Sequence, residues 1–272
     1  MTPLLYGVLG NRLLVASCSK SDQELCHSHA LARRCFDGKR RIADGIALFA
    51  PRPGFLRTAF YNPDGSFERL CGNSLLVAAE LFLEPGQALT VRPFERPAIA
   101  IAQLRQGWLE ARSEIELGRG SVEVPGVSRV PIYDTGSSYA VVSVPHRDFD
   151  FDRLGNAFVR EAGVNLTVVE TRAAVLHVRT LERGVGAETA ACGTGAVAVA
   201  LAAERLDEWL DIRYRKNHYR VLIHRSSPNQ LTWTLRVRRE AVQVLRQALA
   251  AEAQEDAGPS PVSGSSSTRC ST

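Results

Sequence analysis

The chain has 272 residues, 45% hydrophobic and 23% charged, a make-up that suits one large globular domain or two of ordinary size. Its net charge of +4 comes from scattered arginine, with lysine only at Lys20, Lys39 and Lys216, and no aromatic-interleaved basic stripe points to a nucleic-acid partner. No apolar run approaches the ~20 residues that span a bilayer, no basic-then-apolar leader opens the chain, and its cysteines form no disulfide framework, so a cytoplasmic protein with reduced thiols and no membrane partner is expected.

In chain order, Leu4–Val8 and Leu13–Ser17 read as short strands around a Leu9-Gly10-Asn11 turn. Residues 22–35 carry a helical pattern, with Cys26-His27-Ser28-His29 at spacings that match no standard zinc site, and a solvated helix is the preferred reading. Ile46–Ala50 and Thr58–Tyr61 are predicted strands, followed by an Asn62-Pro63-Asp64-Gly65-Ser66 turn. Ala88–Val91, Ala98–Leu104 and Trp108–Arg112 alternate like antiparallel strands. Further on, Val130–Asp134, Tyr139–Val144, Leu166–Glu170 and Ala174–Thr180 read as strands, with a short helix over Phe151–Ala162. Tyr219–His224 and Leu231–Val237 are predicted closing strands, and Glu240–Ala253 is a predicted helix. The Gly, Pro and Ser composition after Ala257 predicts a disordered tail, in which Cys270 has no evident role.

Two stretches stand out. Arg69-Leu-Cys71-Gly72-Asn73-Ser74 runs into an apolar helical segment, and so does Thr189-Ala-Ala-Cys192-Gly193-Thr194-Gly195. Each puts a thiol where a helix begins, and there the free N–H groups and the helix dipole favour an anion and a lowered thiol pKa. With strands, turns and helices in the same order around each cysteine, the chain reads as two halves that each present one thiol. An amino acid held by its carboxylate between the two helix starts would have its Cα between two sulfurs. One, as thiolate, could take the proton, and the other, as thiol, could return one to the opposite face. N–H donors and exclusion of water would have to stabilise the carbanionic intermediate. Pyridoxal phosphate is not indicated, because none of the three lysines follows a cofactor-binding pattern. No cofactor and no metal are expected.

These motifs resemble the diaminopimelate epimerase superfamily of cofactor-independent racemases and epimerases. The resemblance runs from Val8-Leu9-Gly10-Asn11 through Ile42-Ala43-Asp44-Gly45, Asn62-Pro-Asp-Gly-Ser66, Cys71-Gly72-Asn73, Gly163-Val164-Asn165 and Glu182-Arg183-Gly184 to Cys192-Gly193-Thr194-Gly195. It implies an α+β fold of two pseudo-symmetric halves, each a curved, mainly antiparallel sheet wrapped around a central helix. Residues 1–115 would carry Cys71, 116–256 would carry Cys192, and 257–272 would be the tail. By the same resemblance Cys71 and Cys192 are the acid/base pair, and Gly72, Asn73, Gly193 and Thr194 donate to the reacting carboxylate. Asn11, Asn62, Asn165 and Arg183 match positions that hold the distal end of diaminopimelate, and Glu182 matches a site carboxylate. Closure of the halves on a small-molecule amino acid and a homodimer are also implied.

The chain departs from the family where the far end of the substrate would be read. Gly136-Ser137-Ser138-Tyr139 stands for the usual Gly-Asn-Pro-His, Ser74-Leu75-Leu76 stands for Gly-Ala-Arg, and one extra residue falls near Ala187. The expectation is retained Cα chemistry with an altered side-chain pocket, for a single-centre amino acid such as histidine. Diaminopimelate epimerisation is the alternative. A related phenazine-type isomerase, disfavoured by the cysteine pair, and a thiol redox or ligand-binding protein are the further readings.

Overall fold

A computed structural model describes residues 4–17, 35–37, 40–94, 100–116, 120–124, 127–144, 150–228 and 230–246. The Cys26–His29 segment and the tail with Cys270 lie outside them. The described residues form mostly one large mixed sheet with few helices. Among them no helix is long and apolar enough to cross a membrane.

The chain enters as an antiparallel hairpin, Leu4–Val8 against Asn11–Ser17, turned by Leu9 and Gly10 at φ 48° and 84°. Two successive positive-φ residues match the right-handed twist of paired strands. Asn11 is therefore the first residue of a strand rather than part of the turn. From there, Asn11–Ser17 pairs in parallel with Gly45–Arg52, which runs antiparallel to Phe55–Tyr61. After the Cys71 segment, Phe55–Tyr61 takes Ala88–Pro93 as a parallel neighbour, and Ala100–Arg105 and Trp108–Glu116 follow antiparallel.

The same series of pairings recurs later in the chain. Val127–Asp134 and Ser138–Ser143 form an antiparallel pair, and Ser138–Ser143 lies parallel to Asn165–Arg172. Asn165–Arg172 runs antiparallel to Val175–Glu182. After the Cys192 segment, Val175–Glu182 takes Trp209–Arg213 as a parallel neighbour, then His218–Ser227 and Gln230–Arg238 follow antiparallel. Trp108–Glu116 pairs along its length with Gln230–Arg238 and joins the two series.

Helix α1 (Gly72–Phe82) is buried from Gly72 to Ala79, and only Leu81 and Phe82 near its end are exposed. Helix α2 (Phe151–Asn156) is capped by Asp150, which accepts from the Arg153 N–H, and it continues as a π-helical turn over Ala157–Glu161. Helix α3 (Gly193–Ala202) is small and apolar on every side, and all of it from Gly193 to Leu201 is buried. A helix with no polar face has nowhere to lie but a core.

The C-terminal segment differs from expectation. Instead of a helix over Glu240–Ala253, a short 3-10 turn at Arg239–Ala241 leads into a strand, Val242–Arg246, paired with Leu4–Val8. Val242 is buried there, and the first strand offers a free edge of backbone donors and acceptors. Local helix propensity yields to that tertiary pairing. Residues 247–253 lie outside the described set. Strands Gly120–Val124 and Ala187–Thr189 had no clear sequence signal.

Candidate active site

The two cysteine turns meet inside the core. Cys71 is the N-cap of α1 and Cys192 the N-cap of α3. The first residues of the two helices abut: a Cβ built on Gly193 would come within 3.3 Å of the Gly72 Cα. A side chain at either glycine would press against the backbone of the other helix start. Asn73 Nδ2 donates to the Ala191 carbonyl (3.4 Å), and Asn11 Oδ1 accepts from the Ala191 N–H (3.3 Å). Both bonds fix the turn that presents Cys192.

A ring of buried tyrosines holds the helix starts. Tyr219 donates to Asn73 Oδ1 (2.6 Å), and Tyr214 donates to the Cys192 carbonyl (2.9 Å). The Tyr139 hydroxyl lies 3.2 Å from Cys192 Sγ and 2.7 Å from Thr194 Oγ1. Burial raises all three phenols well above their ordinary pKa, so they remain neutral donors.

A small cavity of about 20 Å³ lies at the helix starts and is lined by Cys71, Gly72, Asn73, Cys192, Gly193 and Thr194. Asn11, Asn62, Asn165 and Glu182 reach it too, so every residue singled out in the sequence lines it except Arg183. That volume is room for about one water. Arg183 instead borders an adjoining pocket of about 200 Å³, where its half-exposed guanidinium donates to Glu68 at 3.2 Å. Its backbone N–H donates to Asn165 Oδ1 (2.7 Å). Ala187, near which the extra residue is expected, opens the strand Ala187–Thr189 and pairs with Glu182.

Cys71 and Cys192 are free thiols. Contrary to the expectation from their helix positions, both are raised rather than lowered. Desolvation pushes Cys71 up to about 12, opposed by the N–H groups of Ser74 and Asn73 and reinforced by Glu182. Desolvation raises Cys192 well above its ordinary value, and Glu182 raises it further. The Tyr139 hydroxyl, the Gly195 N–H and Thr194 oppose the rise. At these buried sulfurs the loss of water outweighs the helix termini. Glu182 is itself raised to about 7, first by burial and then by the charges of Glu68 and Asp44, while Thr189 and Cys192 hydrogen bonds lower it. Thr189 Oγ1 donates to it at 2.6 Å.

Sequence reasoning missed Glu68, Asp44 and Thr189 as wall residues. Glu68 is the most consequential. It is buried and accepts from Asn62 Nδ2 (3.0 Å), from the Ser137 hydroxyl and from Arg183. A larger open groove of about 620 Å³ around His177, Arg179 and Arg213 includes neither thiol.

The fold is similar to that of solved proteins that include racemases, epimerases and phenazine-biosynthesis proteins. A probable proline racemase from Agrobacterium radiobacter K84 superposes with a TM-score of 0.67 over 89% of this chain and 90% of its own, at 15% identity, which is a likeness of fold. No family model matches the chain. The diaminopimelate epimerase of Archaeoglobus fulgidus is 29% identical over 189 residues, 60% of this chain and 66% of that enzyme. The diaminopimelate epimerase of Nitratiruptor sp. is 31% identical over 193 residues, 66% of this chain and 69% of that enzyme. The chain belongs to the diaminopimelate epimerase family. It spans about two thirds of the length of the curated relatives it matches first.

Proposed function

We propose that this chain is a cofactor-independent isomerase, an amino-acid racemase or epimerase that inverts Cα with Cys71 and Cys192 as its two acid/base groups. The observation that carries the reading is the meeting of two helix N-termini, each with a cysteine at its cap position, on one small cavity. A substrate carboxylate at that point is met by the N–H groups opening α1 and α3. Its Cα then lies between the sulfurs, and the Glu182 carboxylate is at hand for the α-ammonium. The thiolate on one side takes the Cα proton and the thiol on the other gives one to the opposite face, so the two cysteines exchange protonation states with each turnover.

The raised thiols fit a site that is inert until filled. A substrate ammonium beside Glu182 offsets the charge that raises both sulfurs, and so favours the thiolate once substrate is bound. A cavity of about 20 Å³ does not admit an amino acid, so binding requires the walls to part and then close. The repeated order of strand pairings supports reading the chain as two halves, 1–115 and 116–256, around α1 and α3. The last strand would be returned to the first half. A homodimer and a cytoplasmic setting, where thiols remain reduced, complete the proposal.

We read the substrate as a single-centre amino acid such as histidine. Diaminopimelate is the second reading, favoured by the names of the relatives and by Asn11, Asn62 and Asn165 in the wall. The test is Cα hydrogen exchange in D2O, with reduced protein, individual L-amino acids including histidine, and diaminopimelate. Deuterium at Cα with loss of optical purity is expected for a single-centre amino acid. Exchange of diaminopimelate alone would assign the second reading, and silence across the panel would remove both.

A further inference from the structure

We infer that Glu68 makes the distal end of this site selective for a cationic side chain, so that the substrate is an amino acid with one carboxylate and a protonated side-chain nitrogen. The inference rests on the racemase reading and deepens it. Among the described residues the cavity wall contains three carboxylates, Asp44, Glu68 and Glu182, and no lysine, arginine or histidine. Two of the three have other work. Asp44 accepts from the Arg12 N–H (2.8 Å) and pairs with Arg41 (3.3 Å), while Glu182 accepts from Thr189 and lies beside Cys192. Glu68 stands farther out, on the boundary between the cavity and the adjoining pocket.

Its hydrogen bonds decide what that boundary can recognise. A carboxylate only accepts, so each neighbour must turn a donor toward it. Asn62 gives its Nδ2 to Glu68 and Ser66, and Ser137 gives its one hydroxyl proton to Glu68. To a ligand, Asn62 can then present its carbonyl oxygen and Ser137 its lone pairs. Both residues have become acceptors. Arg183, the cation that the family resemblance would assign to a distal carboxylate, already donates to Glu68 and stands outside the cavity. Within the cavity a second carboxylate would meet acceptors and a like charge, and the Arg69 and Arg183 guanidiniums of the adjoining pocket are already paired with Asp134 and Glu68. An ammonium, guanidinium or imidazolium would meet partners for each of its N–H groups.

The test is Cα deuterium exchange by the full chain on substrates that differ by one group at the far end. L-Norleucine carries no distal charge, L-lysine adds an ammonium, and LL-diaminopimelate adds a carboxylate to lysine. L-Ornithine against L-norvaline repeats the first comparison one carbon shorter. The expected kcat/KM for the cationic member exceeds that of its uncharged counterpart at least tenfold in the better-used pair, and lysine exceeds diaminopimelate. Glu68→Gln should shrink the cationic-to-uncharged ratio tenfold or more, and a ratio within one variant does not depend on how much of it is folded. The wild-type series stands even if that variant does not fold. Diaminopimelate outpacing lysine, uncharged substrates matching cationic ones, or a ratio unmoved by Glu68→Gln would overturn the inference and leave the Cα chemistry intact. Absence of exchange with every amino acid would overturn the racemase reading beneath it.

Discussion

Cys71 and Cys192 stand on nearly the same backbone, with φ/ψ of −121°/114° and −128°/114° at the cap positions of two buried helices. Their surroundings differ. Cys192 is buried and has the Tyr139 hydroxyl at 3.2 Å, the Gly195 N–H at 3.4 Å and Thr194 Oγ1 at 3.7 Å. Cys71 is partly exposed, with Ser74 as its main polar neighbour, whose hydroxyl donates to the Cys71 carbonyl (2.8 Å). The Glu182 charge is the largest influence after burial on Cys192, whereas at Cys71 the Ser74 N–H comes before it. A shared backbone can set where two thiols sit and leave their proton affinities to side chains that differ. A site that must take a proton from one face and give one to the other can thus be built from one motif used twice.

The hardest blow to that comparison is to remove either sulfur. Cys71→Ala and Cys192→Ala are each expected to lower racemisation by about 10³-fold or more, the range for a positioned acid/base group. Both should keep their folded circular dichroism spectrum, because the cap backbone and the helix N–H groups remain. Full turnover in either variant would refute the two-thiol mechanism.

A second, smaller intervention removes the charge that weighs more on Cys192. Burial pushes Glu182 up to about 7 from its ordinary value of 4.5. Between those values the folded protein holds a proton that the unfolded chain has released, so stability is full below about 4.5 and falls as pH rises through 7. The loss is on the order of 3 kcal/mol for this one group. Urea unfolding at intervals from pH 4.5 to 7.5 should show that decline in the wild type and a flatter profile in Glu182→Gln. Equal slopes in the two proteins would mean that Glu182 does not carry it.

How much of this was legible in the sequence follows from the distance over which each feature is made. The two Cys-Gly helix starts, the Leu9-Gly10 turn and the alternating strands depend on neighbours in the chain and could be read directly. Glu68 could not. It follows Phe67 in a two-residue strand, and its partners Ser137 and Arg183 arrive from 69 and 115 residues away. The same holds for the thiols. A helix start is visible locally, but the burial that reverses its effect on pKa comes from the packing around both helices, and the Glu182 charge adds to it. The C-terminal strand was hidden because its reason for forming is the edge of Leu4–Val8, at the other end of the chain. Recognition of Ser137 and Tyr139 as departures did mark the places where the site differs, though not what Glu68 makes of Ser137.

The smallest expected effect also tests the contrast most narrowly. Tyr139→Phe removes the hydroxyl that opposes the rise of Cys192, and leaves the ring, which fills the core, in place. One such bond to a sulfur anion is worth about tenfold in turnover near neutral pH. Because the bond favours the thiolate, its loss should move the acid limb of the pH–rate profile upward, a change that a merely structural tyrosine would not produce. Ser74→Ala is the matching change beside Cys71. There the side-chain hydroxyl ranks last among the influences on the thiol, behind burial, two backbone N–H groups and Glu182, so its profile should move less. A Tyr139→Phe profile that stays in place, or a larger shift in Ser74→Ala, would mean that the two sulfurs are not set apart by their hydroxyl neighbours. The difference would then have to come from burial and Glu182 alone.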